Sequence, residues 1–159
     1  MTRNEAFEGK GSSFTIEDAV LFYARLTVDT MDNYEGKERF KVTLQVTPEL
    51  GAKMEEGGFN TKQDDEGNYY IDAFKNRVIG KKEEERVIQK PPKVVFEDGT
   101  LWDIEEHGSI GNGTVADVEV FAKYVKVGKN WHLPMYLNKV IIKDFVPYEG
   151  EKKSNKDIF

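Results

Sequence analysis

The chain has 159 residues, 38% hydrophobic and 12% aromatic, with no cysteine; it is too aromatic for a disordered segment, and disulfides, thiolate metal sites and cysteine nucleophiles are excluded. Its 29 acids against 23 Lys and Arg leave a net charge of −6, which excludes a protein that coats a polyanion with its whole surface and confines any nucleic-acid site to a local patch. The first residues lack the apolar run of a signal peptide and no apolar stretch nears the length of a membrane helix, so one soluble cytoplasmic domain without membrane contact is expected.

Alternation of apolar and polar residues, broken by turn residues, predicts a mainly β protein. In residues 21–30, Phe22, Ala24, Leu26 and Val28 share one face, while Tyr23, Arg25, Thr27 and Asp29 take the other. The polar residues 32–37 then reverse the chain into residues 39–47, where Phe40, Val42, Leu44 and Val46 alternate with Arg39, Lys41, Thr43 and Gln45. That pattern sets a basic-polar stripe back to back with a core stripe. Pro48 opens a short segment closed by Gly57-Gly58, one or two helical turns and too short for a core helix. A third strand is predicted over residues 69–79, a solvated charge run over 81–86, and a stop at Pro91-Pro92. Residues 94–96 and 101–104 flank an Asp98-Gly99 step, which predicts a hairpin.

The C-terminal third predicts a long hairpin, with strands over residues 114–127 and 131–145 joined by Gly128-Lys129-Asn130. Val118, Val120, Ala122 and Tyr124 share one face of its first arm. After Pro147 the sequence loses periodicity, which predicts a domain over residues 1–148 and a flexible tail over 149–159 with an apolar tip. Five or more strands with one short helix suit a small Greek-key barrel or a β-sandwich; periodicity does not separate the two.

Chemistry-bearing motifs are few. With two histidines, His107 and His132, a three-histidine zinc site is impossible. The acids at 64–66 and 83–85 lie in solvated runs, without the unlike environments of an acid–base pair. The segment 110–114 has the glycines of a phosphate loop, but a strand pattern comes after it and the lysine is missing. No enzyme, cofactor or metal is therefore expected. What remains is basic and aromatic residues interleaved on strand faces: Tyr23 and Arg25, Arg39 and Lys41, Tyr70, Phe74, Lys75 and Arg77, then Tyr124, Lys126, Lys129, Trp131 and Tyr136. Single-stranded nucleic acid asks for that combination, because bases stack on rings and phosphates take cations. Most strand aromatics, however, belong to cores; Trp131 beside the hairpin turn is the exception.

Three segments together resemble the OB-fold single-stranded-DNA-binding proteins of bacteriophages. They are Phe40-Lys41-Val42-Thr43-Leu44-Gln45-Val46-Thr47-Pro48, then Ile110-Gly111-Asn112-Gly113-Thr114 leading into the hairpin with Tyr124, Trp131 and Leu137-Asn138-Lys139-Val140-Ile141-Ile142, and the terminal Asp157-Ile158-Phe159. The resemblance implies a five-stranded OB-fold-like Greek-key barrel with extra strands or loops and a short helix. It implies a monomer or homodimer in the host cytoplasm that binds single-stranded DNA without sequence preference during phage replication and recombination. The nucleic-acid site would draw on Arg25, Arg39, Lys41, Tyr70, Lys75, Arg77, Tyr124, Lys126, Lys129 and Trp131. Phage replication proteins such as polymerase would meet the tail at Asp157, Ile158 and Phe159. The tail departs from the family pattern in carrying Lys152, Lys153 and Lys156 among its acids. A structural or assembly β-protein of a virion, without nucleic-acid binding, is the alternative.

Overall fold

The computed structural model describes residues 3–34, 36–80 and 82–148; the expected tail, with Asp157, Ile158 and Phe159, lies outside the described residues. In chain order the strands and helices are β1 (Ser12–Arg25), β2 (Asp32–Tyr34), β3 (Lys37–Val46), α1 (Pro48–Gly57), β4 (Thr61–Gln63), β5 (Tyr69–Asn76), β6 (Val78–Ile79), β7 (Val87–Ile88), β8 (Lys93–Phe96), α2 (Ile104–His107), β9 (Thr114–Ala122), β10 (Val125–Val127), β11 (Asn130–His132) and β12 (Met135–Asp144).

Five of the strands close into a ring in the order β3-β1-β9-β12-β5 and back to β3. Ring closure, in place of two facing sheets, sets aside the sandwich. The long antiparallel ladders β1–β3, β1–β9, β9–β12 and β3–β5 carry most of the pairing, while β5 meets β12 in parallel at Tyr136 and Phe74. The second half of β12 pairs in parallel with β8. Inside the ring lie Ile16, Leu21, Phe40, Val42, Leu44, Val118, Val120, Leu137, Val140 and Ile142, all buried.

The stripe predicted for β3 is the observed one: Phe40, Val42 and Leu44 are fully buried and Val46 nearly so, while Arg39, Lys41, Thr43 and Gln45 face outward. β1 differs from expectation. It starts at Ser12, and irregular pairing between Ile16 and Ala19 and again between Phe22 and Arg25 shifts its parity twice. Each such bulge adds a residue and swaps the face taken by the residues after it, so Leu21 and Leu26 are buried while Phe22 turns to the outside, half-buried. Asp18 and Tyr23 sit at these irregularities with φ of 53° and 52°.

The helix α1 begins as predicted, with the Thr47 hydroxyl accepting from the Leu50 amide at 3.2 Å and Pro48 in the first turn, and ends at Gly58 with φ of 105°. It is more than a linker: Met54 enters the core cluster, a burial worth about 1.5–3 kcal/mol. Gly51 lies so close against Tyr69 that a Cβ there would collide with the ring. The Asp98-Gly99 turn forms, but its second arm is only a bridge from Leu101 to Val95, because Asp103 caps α2 by accepting from the Glu105 amide at 3.1 Å. The C-terminal hairpin is β9 with β12; its tip is a separate ribbon of β10 and β11.

Candidate nucleic-acid interface

Because β3 and β5 each bury one face in the ring, their outward side chains share the other, and that face floors a groove of about 730 Å³. β3 contributes Arg39, Lys41 and Thr43; β5 contributes Tyr70, Asp72 and Phe74; the β1 bulge adds Phe22 and Tyr23. The opposite side is built by Gly58, Asn60 and Lys62 and by residues 132–135, two segments joined by a parallel bridge between Phe59 and Leu133.

The aromatic groups meet edge to face. Phe22 and Tyr70 have ring centroids 5.7 Å apart at 74°, and Phe74 meets Tyr136 at 5.2 Å and 61°. Tyr136 in turn lies 6.4 Å from Phe121, nearly parallel to it. Register links these groups into a belt around the ring: Arg25 opposes Lys41, Lys41 opposes Phe74, Phe74 opposes Tyr136 and Tyr136 opposes Phe121. The belt opens with two cations and continues with three rings.

Tyr23 is 68% exposed, and its positive φ is a conformation that costs a non-glycine residue of order 1–2 kcal/mol. Its amide donates to Asn112 Oδ1 at 2.8 Å, and the neighbouring Gly113 amide donates to the Leu21 carbonyl at 2.9 Å. The turn over residues 111–113 therefore holds the bulge, and the bulge presents the Tyr23 ring at the groove. Strained backbone held by outside hydrogen bonds is characteristic of binding sites.

Each groove cation on β1 and β3 has a carboxylate beside it. Asp72 Oδ2 lies 3.4 Å from Lys41 Nζ, and Asp32 lies 3.6 Å from Arg39 Nε and 3.8 Å from Arg25 Nη1. Arg39 also sits over the Phe74 ring, its Cζ 5.2 Å from the centroid. On the β4–β5 side, Asp64 accepts from the Glu66 and Asn68 amides, from Asn68 Nδ2 and from the Tyr70 hydroxyl. The Asn68 amide, foremost among these donors, holds the Asp64 carboxyl below its ordinary value. Desolvation first, and then the bond to Asp64, push the Tyr70 phenol up.

Of the ten residues expected to touch nucleic acid, Arg39, Lys41 and Tyr70 line the groove and Arg25 stands at its rim. Lys75 opposes the core residue Phe40, so it lies on the inward side at the end of the ring. Arg77 is engaged elsewhere, its Nη1 donating to the Gln89 carbonyl at 2.5 Å. Tyr124 is corrected from a stacking surface to a core tie: it is 4% exposed, its hydroxyl donates to the Gly57 carbonyl at 2.6 Å and accepts from the Asn4 amide at 2.9 Å. Lys126, Lys129 and Trp131 belong to the β10–β11 ribbon, outside the groove lining. Trp131 is 44% exposed, with the Arg3 guanidinium 4.4 Å over its ring and Lys126 at 5.8 Å. Sequence reasoning missed Phe22, Asn60, Lys62 and His132 as groove residues. The parity break at β1 hid Phe22, whereas Lys62 lies in a three-residue strand too short to show a period.

No family model matches the chain, and no curated protein matches it. Solved structures do. The crystal structure of gp2.5, a single-stranded DNA-binding protein encoded by bacteriophage T7, superposes with a TM-score of 0.60 over 91% of this chain and 98% of that one, at 13% identity. The single-stranded DNA-binding protein from bacteriophage Enc34 in complex with ssDNA gives 0.62 at 12% identity, over 87% of this chain and 89% of its own. At these identities the likeness is one of fold: the chain has the OB-fold-like architecture of the phage single-stranded-DNA-binding proteins.

Proposed function

We propose that this protein binds single-stranded DNA without sequence preference and acts in phage DNA replication and recombination, in the host cytoplasm. The observation that carries the reading is the groove across β1, β3 and β5, which sets Arg39 and Lys41 beside Phe22, Tyr23, Tyr70 and Phe74. Phosphates would displace Asp32 and Asp72 from the cations while bases stack on the exposed ring faces, a mode that tolerates any sequence because every base has a π-face. The fold supports this reading, since the Enc34 protein of the same architecture has been solved with ssDNA. A virion assembly protein has no use for cations and rings in one groove. Within the same proposal, the tail ending in Asp157, Ile158 and Phe159 serves replication proteins such as polymerase, and the chain works as a monomer or homodimer.

The deciding experiment is a titration of the whole chain with oligo(dT) at two salt concentrations. Roughly three to five phosphate contacts, each contributing about −0.7, give a log–log slope near −2 to −4. No binding, or binding independent of salt, overturns the reading.

A further inference from the structure

Among the described residues, the ribbon of β6 and β7 is a strand pair whose four members all stay outside the packed surfaces. Val78 opposes Ile88 and Ile79 opposes Val87, and the four are 44%, 68%, 44% and 54% exposed. Since the two cross-strand pairs point to opposite sides of the ribbon, both faces of this arm are apolar and open.

The arm is also firmly made. At its base the Arg77 amide donates to the Glu38 carbonyl at 3.0 Å, the Gln89 amide to the Arg77 carbonyl at 2.7 Å, and Gln89 Nε2 to the Asn76 carbonyl at 2.8 Å. At its tip Gly80 has φ of 117° and packs so tightly that a Cβ would lie 2.5 Å from the Glu85 carbonyl oxygen. The Glu85 amide closes that turn on the Lys82 carbonyl at 2.9 Å. Four β-branched residues in a pinned ribbon do not collapse onto the ring. Apolar strands exposed in this way invite pairing with another chain.

We propose that the arm is a contact between neighbouring copies of this chain on one DNA strand, an inference that rests on the DNA-binding reading. The charges identify the occupant. Exposed acids Glu83, Glu84 and Glu85 crown the tip, while exposed Lys90 and Lys93 come after the base, with the apolar residues between. Two arms laid antiparallel about a two-fold axis put each acidic tip over the other's lysines and the apolar middle against itself, the reciprocity that an isologous interface requires. Four apolar side chains a copy fall far short of the roughly 20–30 residues a side of a stable complex. The contact therefore acts where a shared strand supplies an effective concentration in the millimolar range.

The test uses the full chain with the shortest oligo(dT) that takes one copy and with one twice as long. In the wild-type protein the second copy should bind on the order of tenfold more tightly than the first. Ile79→Lys with Ile88→Lys should abolish that preference, leaving one-copy affinity within about twofold and the melting curve unchanged. Glu84→Lys and Lys90→Glu should each weaken the preference, and the two together should restore it. Equal binding of both copies by the wild type, cooperativity unchanged in the lysine variant, or no rescue in the charge swap overturns the contact. Loss of one-copy affinity in the lysine variant means that the arm touches DNA instead, and likewise overturns it. A wild-type protein that fails on the short oligonucleotide refutes DNA binding itself and the arm contact with it.

Discussion

Thr43 and Asp72 face each other across β3 and β5, the Thr43 hydroxyl donating to Asp72 Oδ1 at 2.6 Å while Asp72 Oδ2 stands 3.4 Å from Lys41 Nζ. The groove thus carries its own competitor for the cation that a phosphate would take. Asp72→Asn keeps an acceptor for Thr43 but releases Lys41. Oligo(dT) affinity should rise by about three- to tenfold at low salt, with the log–log slope steeper by about 0.7, the contribution of one more phosphate contact. Weaker binding in this variant would make Asp72 a direct contact for a base.

Arg39 and Lys41 are outward neighbours on one strand. Changing both to Ala should weaken binding to all sequences alike and make the salt slope shallower by about 1.4, two contacts' worth. Since neither side chain enters the core, the melting temperature should hold. An unchanged slope would move the phosphate path off β3.

Tyr23 separates stacking from strain. Tyr23→Ala should cost about 1–3 kcal/mol of oligo(dT) binding, the usual value of a base on an aromatic ring. Tyr23→Gly should lose the same binding but be about 1 kcal/mol more stable than the Ala variant, because glycine tolerates the φ of 52°. Asn112→Ala, which removes the acceptor of the Tyr23 amide, should weaken binding in a protein that still has its tyrosine. The idea fails if the Ala and Gly variants melt together.

Tyr124 makes the opposite prediction. Tyr124→Phe leaves the ring in the core but strands the Asn4 amide and the Gly57 carbonyl. Denaturant unfolding should show a loss of about 1–3 kcal/mol, with DNA affinity unchanged. An altered affinity at constant stability would return Tyr124 to the binding surface.

The Asp64 turn gives a pH dependence of defined sign. A carboxyl whose folded pKa is depressed contributes stability above its unfolded pKa and loses it as pH falls through the folded value. The turn, and with it the orientation of Tyr70, should therefore hold throughout the neutral range and loosen only in acid, below the ordinary carboxylate value of about 3.9. A carbon-detected NMR titration of the Asp64 carboxyl reads this directly; a midpoint above the ordinary value contradicts the hydrogen-bond pattern.

The sequence made β3 legible because that strand runs without interruption between solvent and core, so a period of two survives intact from Arg39 to Val46. It made β1 illegible because bulges at Glu17-Asp18 and Tyr23-Ala24 change the parity twice, and no composition signal marks a bulge whose irregular residue is not glycine. The groove divided in the same way. Arg39 and Lys41 were visible as a stripe, while Lys75 and Arg77 continued an apparent pattern past the point where β5 leaves the ring. Tyr124 shows how the two readings of an aromatic diverge: its parity placed it with Val118 and Val120, and burial agreed with parity.

The strand order of the ring governs when the protein can fold during its synthesis. β1, β3 and β5 pair among themselves and are complete once Asn76 has been made, but the partners that cover the remaining edges, β9 and β12, end at Ala122 and Asp144. At about 5–20 residues per second, the three early strands wait several seconds with an apolar face and two sheet edges uncovered on the ribosome. Deleterious substitutions in β9 and β12 should therefore appear first as aggregation of nascent chains, before any loss of affinity in the protein that does fold.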